Sequence, residues 1–355
     1  MDKREKKFPL RGVIFILLLV LLSGVVMLGY KIGDDRSYGN ISGFDDVDDY
    51  KLDAVFIGGS DIHAFWQPAF AWETHGITSW NYSVDSFRMT AIKNFIIEAR
   101  KTQPDALFVI SCSCMKKTDV DAPEIHRIVD YFPLSSNKID LINRLCADAG
   151  ITGIDKLEYY FTGIRFHSRI LPKMWEFKQP DTTYLSSIVF EPFFNNCVDV
   201  TDSYIVTDER AELTQTQTAR LAELLDFLDS EKINALFITV PQALGGDGSD
   251  DFAVINSIED VIASRGFPCV DMLRSYEKLG IKTDKDFYNL YHTNIRGSYK
   301  VTEYLCDYLS DNYGFGDKRE DPGYDAWDRA AKEYGKLADE ASLSFEREYC
   351  GGDLK

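Results

Sequence analysis

Past residue 31 the chain has no second apolar run long enough to cross a bilayer, no internal repeat and no excess of positive charge. Each lack excludes a class. A multi-span membrane protein needs several runs of about 20 apolar residues, and a solenoid needs a repeating unit. With 39 Lys and Arg against 57 Asp and Glu, the formal net charge is −18. Such a surface disfavours nucleic acid and anionic lipid as partners, and an acidic solvated exterior accounts for the charge itself. Seven cysteines, an odd number, sit mostly inside apolar runs, as small core residues do. The chain is large enough to bury a core without disulfide staples, and spacing assigns no disulfide. Cys112-Ser113-Cys114 is the one close pair. It lacks the two-residue spacing of zinc and redox motifs and has no His/Cys pair nearby, so neither a metal nor a cofactor is expected.

What is present begins at the N-terminus. Lys3, Arg4, Lys6, Lys7 and Arg11 precede an uncharged run from Gly12 to Tyr30. As a helix that run spans about 28 Å, close to the hydrocarbon thickness of a bilayer. A cleaved signal peptide is the alternative, but no small-x-small site precedes the polar segment after Lys31. No cysteine lies there to take a lipid. The expectation is an uncleaved anchor over 12–30, with the basic tail 1–11 in the cytoplasm and the rest outside. The partner implied by that run is the membrane itself.

Residues 31–50 are rich in Gly, Asp and Ser without periodicity and read as a tether. From 51 the chain alternates short β-branched or aromatic runs with helical ones. Strands are predicted at 53–58, 77–82, 105–111, 234–240 and 267–271. Helices are predicted at 88–101, 134–148, 209–230, 251–264 and 295–311. This alternation implies βαβ units and a mainly parallel five-stranded sheet in a three-layer α/β/α domain over 51–312. An aromatic-rich stretch at about 150–207 (Tyr159, Tyr160, Phe161, Phe166, Trp175, Phe177 and others) breaks the rhythm. It reads as an insertion, either a lid over the sheet's carboxyl edge or a cover for apolar surface. Residues 313–355 read as a linker and then a helix from about 324 to 345, docked through Tyr324, Trp327 and Tyr334.

The residue that points to chemistry is Ser60. It follows the apolar run Asp53-Ala54-Val55-Phe56-Ile57 through Gly58-Gly59 and precedes Asp61. Two glycines permit a sharp turn with backbone angles other residues resist, which puts a hydroxyl at the sheet's carboxyl edge, where ligands bind in open α/β folds. A base lies far downstream, in Asp286-Phe287-Tyr288-Asn289-Leu290-Tyr291-His292-Thr293-Asn294. A serine early and a histidine late, each at an element boundary, suggest acyl transfer or ester hydrolysis. Alone, each reads as a plain turn or a cap. His63, on the helix expected after Ser60, faces either the site or solvent. His75, His126 and His167 sit among polar turn residues, as structural hydrogen-bonders do.

With Gly58-Gly59-Ser60 after a first strand and His292-Thr293-Asn294 before a last helix, residues 51–312 resemble the SGNH (GDSL-like) hydrolase superfamily. The closer resemblance is to a membrane-anchored, extracytoplasmic bacterial branch. That branch includes relatives of the D-alanyl-transfer protein of teichoic acid synthesis and of the acyl-modifying proteins of exopolysaccharide export. The resemblance implies Ser60 as nucleophile and His292 as base. The amides of Gly59 to Asp61 would line the oxyanion site, joined by the amide of Ser86, which stands where the second family block has a glycine. Asn294 fits the end block as a helix cap. The substrate class implied is an ester-linked acyl group on a cell-envelope glycan or other acyl-polymer, and a membrane acyltransferase is a candidate partner.

Two blocks depart from the family. The third should read Gly-x-Asn-Asp, and here Ile110-Ser111-Cys112-Ser113-Cys114 contains no asparagine. Ser111 and Ser113 are the candidates to replace its donor. In the last block the family's acid stands three residues before the histidine, and that residue is Asn289. Asp286, one turn earlier, and Asp61 are the nearby acids. Asp286 reads equally as a turn cap. Two functions therefore stand side by side: an O-acyl hydrolase or transferase, and a non-catalytic relative that binds or presents envelope polysaccharide.

Overall fold

Five short apolar runs pair into one sheet in the computed structural model, which describes residues 12–15, 17–19, 21–22, 36–161, 184–187, 196–204, 206–244 and 249–349. They are β1 (Ala54–Ile57), β2 (Ser79–Asn81), β3 (Leu107–Ser111), β4 (Ala235–Thr239) and β5 (Cys269–Asp271). All are parallel, in the order β2-β1-β3-β4-β5. These are the five predicted strands, trimmed by up to two residues at an end. Every residue of β1, β3 and β4 is buried. A continuous apolar strand suits only a sheet covered on both faces.

The helices that cover it are α1 (Ser60–Phe65), α2 (Pro68–His75), α3 (Met89–Ala99), α4 (Ala122–Val129), α5 (Ser136–Asp148), α6 (Gln215–Ser230), α7 (Ser249–Ser264) and α8 (Ile295–Tyr313). A ninth, α9 (Asp325–Tyr349), follows the linker. Helix α3 packs on α5 and α6, while α8 packs on α1 and α2, in keeping with a three-layer α/β arrangement. Helix α6 begins later than the predicted 209. The Thr214 side chain accepts from the Gln217 amide and Gln217 answers to the Thr214 amide, a reciprocal cap that fixes the first turn.

The strand order places the site. The chain leaves β1 toward β2 on one side, then returns past β1 to β3 on the other. Such a reversal opens a crevice at the carboxyl ends of the two central strands. Ser60 follows β1, Ser86 follows β2 and Ser111 ends β3, so all three converge there. A second, two-stranded antiparallel sheet, β6 (Phe287–Asn289) with β7 (His292–Thr293), was not predicted. It is a tight hairpin immediately before α8.

One other expectation is corrected, and two fall largely outside the described residues. The stretch read as an aperiodic tether is helical from Arg36 to Ser42 and continues as a 3-10 turn over Gly43–Val47. Ile41, Phe44 and Val47 are buried, Phe44 stacks on Tyr82 at 4.5 Å, and Trp80 donates its indole N–H to Asn40 O at 2.8 Å. Three apolar side chains supply enough burial to order a segment whose composition resembles a linker. Of the expected anchor, residues 12–15, 17–19 and 21–22 are described and helical. Among the described residues no helix is long and apolar enough to cross a membrane. Most of the aromatic insertion, His167 included, lies outside the described residues.

The C-terminal helix docks as its spacing predicts. Trp327 and Tyr334 are fully buried against α2, with the rings of Trp72 and Trp327 5.6 Å apart. Tyr334 donates its hydroxyl to Gln67 Oε1 at 2.8 Å, and Trp72 Nε1 donates to Asp328 Oδ1 at 2.8 Å. Burying these two large aromatics anchors the helix to the domain; the Tyr334 hydroxyl is satisfied, while the Trp327 indole N–H is buried without a hydrogen-bond partner.

Candidate active site

Ser60 opens α1, so its side chain leaves the chain where the strand has ended and the helix has just begun. The glycines before it act through space rather than through unusual angles, since neither has a positive φ. A Cβ on Gly58 would stand 2.6 Å from Ile62 Cγ1 and 2.9 Å from Ser111 Cβ. Only a hydrogen fits there, which lets the end of β1 lie against the end of β3.

The Ser60 Oγ lies 2.8 Å from His292 Nε2, across 232 residues of sequence. On its other edge, His292 Nδ1 lies 3.0 Å from Asn289 Oδ1. The same Asn289 oxygen accepts the Tyr291 amide at 2.8 Å. Because an amide N–H can only donate, the Asn289 oxygen, not its nitrogen, faces the histidine. That oxygen is an acceptor, so the proton sits on His292 Nδ1. Nε2 is left with its lone pair toward the serine hydroxyl, which is the tautomer a general base requires.

Asp61 lies beside this relay without joining it. It is buried, and its two oxygens accept the Gly59 amide at 2.9 Å and the Ser111 hydroxyl. Ser111 Oγ in turn accepts the Ser113 amide at 3.1 Å. This chain of bonds ties the Gly59–Asp61 turn to the end of β3. It also commits the Gly59 amide, which the family resemblance places at the oxyanion site, to Asp61. The amides of Ser60 and Asp61 lie in the first turn of α1, where backbone donors have no intrahelical acceptor. The Ser113 hydroxyl, candidate for the missing donor, is buried without a hydrogen-bond partner. Burial holds the neighbouring Cys114 thiol well above its ordinary range, with the Asp61 charge adding to it.

Ser86 sits at φ +60°, a left-handed conformation that glycine adopts freely and serine rarely does. Its carbonyl accepts from Arg88 Nη1 at 2.9 Å and its hydroxyl from Arg127 Nη1 at 3.1 Å. The adjoining Phe87 amide is 3.8 Å from where a Gly59 Cβ would be, so this loop closes over the turn that carries Ser60.

Asp286 belongs to a different network. It is fully buried, and its Oδ2 accepts from Lys300 Nζ at 2.5 Å and from the Lys282 amide at 2.7 Å. Its role is to brace the turn that leads into the hairpin. Asn294 caps α8, its side chain accepting the amides of Arg296 and Gly297 at 3.1 and 3.3 Å. It does what its place before a helix predicts.

The other described histidines make structural contacts. His63 is buried, with Nε2 3.2 Å from Asp85 Oδ1 and Nδ1 3.4 Å from Ser83 Oγ. His75 contacts Thr74 and Asp307, and His126 pairs with Asp130 at 3.0 Å. Sequence reasoning missed the Asp61–Ser111 brace and the Arg127 contact to Ser86. A polar Ser111 ending an otherwise apolar strand was the one signal for the first. No family model matches this sequence, and none of the curated proteins matches it.

Proposed function

We propose that the protein is a serine hydrolase or O-acyltransferase of the SGNH type, acting on ester-linked acyl groups of a cell-envelope polymer. The observation that carries the reading is the relay from Ser60 through His292 to Asn289, with the histidine in the base tautomer. In this reading Ser60 Oγ attacks the acyl carbonyl while His292 Nε2 takes its proton. The alkoxide of the polymer leaves with that proton, and the acyl group stays on Ser60. Water or an acceptor hydroxyl, deprotonated by the same nitrogen, then removes it. The oxyanion would be held by amides of the Ser60–Asp61 turn and of Ser86. Ser86 supports the assignment because it holds a glycine-like conformation where the resembled family has glycine.

Asn289 limits the rate. It orients the imidazole but carries no charge to stabilise the imidazolium, and in a serine triad that change costs about 10⁴ in kcat, about 5.5 kcal/mol. The same residue favours a second reading, in which the cleft binds or presents envelope polysaccharide without turnover. The uncharged run 12–30 supports a single-pass anchor with the domain outside the cytoplasm. A fluorophosphonate probe applied to the full-length protein tests the enzyme reading. Labelling of Ser60, abolished in Ser60→Ala, is expected. No labelling of the folded protein at any probe concentration would leave the binding reading.

A further inference from the structure

Cys112 was paired by sequence with Cys114, but the fold separates them and gives Cys112 other company. Cys114 Sγ turns back to donate to Ser111 O at 3.0 Å. Cys112, the first residue beyond β3, is fully buried beneath α7. The register explains what it meets. Ser111 is the partner of Ile238, which puts Cys112 level with Thr239, and Phe237 is the partner of Cys269. Partners in a parallel ladder point to the same face, and side chains alternate along each strand. Cys112, Thr239 and Cys269 therefore share one face of the sheet. Glu259 reaches that face from α7.

We propose that Cys112, Cys269 and Glu259 form a binding site for a thiophilic divalent cation of the zinc class. The two sulfurs and a Glu259 carboxylate oxygen all lie within 4.8 Å of one another. Tetrahedral zinc, at about 2.3 Å from sulfur and about 2.0–2.2 Å from oxygen, separates its donors by about 3.6–3.8 Å. Small side-chain rotations close the difference without moving the backbone. The donor set suits the ion: two thiolates select soft or borderline metals, and they exclude calcium and magnesium, which take oxygen ligands. Thr239 donates its hydroxyl to Glu259 Oε1 at 2.5 Å, fixing the carboxylate as an outer-shell partner fixes a ligand. Cys269 is only partly buried, which gives the ion a path in and leaves room for water in the fourth position.

Binding displaces the two thiol protons to solvent, and no redox step is involved. The ion would join the end of β3, the start of β5 and helix α7. Its role is structural, since Ser111, the residue before Cys112, already braces Asp61 on the nucleophile's turn.

The experiment uses the full-length protein, reduced and stripped with chelator, titrated with Co²⁺ as a spectroscopic probe. Expected are one cobalt per chain, thiolate-to-cobalt charge-transfer absorption, displacement of the cobalt by Zn²⁺ and a higher melting temperature with either ion. Cys112→Ala and Cys269→Ala should each remove the absorption band. Glu259→Gln, which keeps the side-chain shape and guards against a folding artefact, should weaken affinity on the order of 10-fold or more. No band in reduced wild type, or a band that survives both cysteine substitutions, overturns the proposal. A Cys112–Cys269 disulfide in the isolated protein, with no cobalt bound after its reduction, overturns it too.

Discussion

Asn289 and His292 are joined twice. They are Cα partners in the antiparallel β6–β7 hairpin, and their side chains meet through Oδ1 and Nδ1 at 3.0 Å. Backbone pairing thus fixes the distance between the His292 imidazole and the side chain that orients it. The Tyr291 amide on the same oxygen fixes which end of the asparagine faces the ring. The hairpin, rather than either residue alone, sets the protonation state presented to Ser60.

Asn289→Asp is expected to raise the rate of fluorophosphonate labelling by about 10² or more, because a carboxylate stabilises the imidazolium that forms when Ser60 reacts. The substitution keeps an acceptor for both the Tyr291 amide and His292, so geometry should survive. An unchanged rate, with Ser60→Ala still unlabelled, would mean that His292 is not the base.

Ser86→Gly should stabilise the protein by about 0.5–1 kcal/mol, the left-handed penalty of serine less the entropy cost of glycine. Urea unfolding reads the change as a shift in midpoint at constant slope. Labelling should persist, since the backbone amide is unchanged. A destabilised variant would show that the Ser86 hydroxyl's bond to Arg127 outweighs the strain.

Ser111→Ala removes one of two donors to the buried Asp61 carboxylate. Hydrogen bonds to a charged group are worth about 1.5–3 kcal/mol each, and a loss of that size is expected in unfolding experiments. Labelling of Ser60 should slow as well, because the Gly59–Asp61 turn loses its tie to β3. Unaltered stability and labelling together would show that the brace carries nothing.

Glu223 links α6 to α5 and α3. It accepts from Arg144 Nη2 at 3.0 Å and lies 3.4 Å from Lys93. The Arg144 guanidinium is the main cause that holds its carboxyl down at about 2, against an ordinary value of 4.5. A carboxyl depressed on folding contributes stability above its unfolded pKa and loses it as the pH falls through the folded value. Glu223→Gln should therefore lower the melting temperature at neutral pH, with the difference from wild type shrinking between about pH 4.5 and 2. A pH-independent difference would assign the effect to packing.

The five strands were legible because each is an apolar run bounded by polar or turn residues, and burial on both faces demands such runs. The docked face of α9 was legible for the same kind of reason: Trp327 and Tyr334 recur on one helical face. The segment from Arg36 to Val47 was not. Its order comes from Trp80, Tyr82 and Gln103, whose Nε2 donates to Val47 O at 3.3 Å; all three are distant in sequence, and composition cannot report contacts of that range.

At the site, sequence alone determined where a nucleophile and a base could stand, since Gly58-Gly59-Ser60 closes a strand and His292 precedes a capped helix. Tertiary structure decided between the acids. Asp286 and Asp61 both lie near the relay in sequence, yet each is bonded elsewhere, to Lys300 and to Ser111. Asn289 reaches the imidazole because a two-residue turn folds its strand back on β7. Sequence fixes which groups are available; which of them meet depends on hydrogen-bond partners that only the packed chain brings within 3 Å.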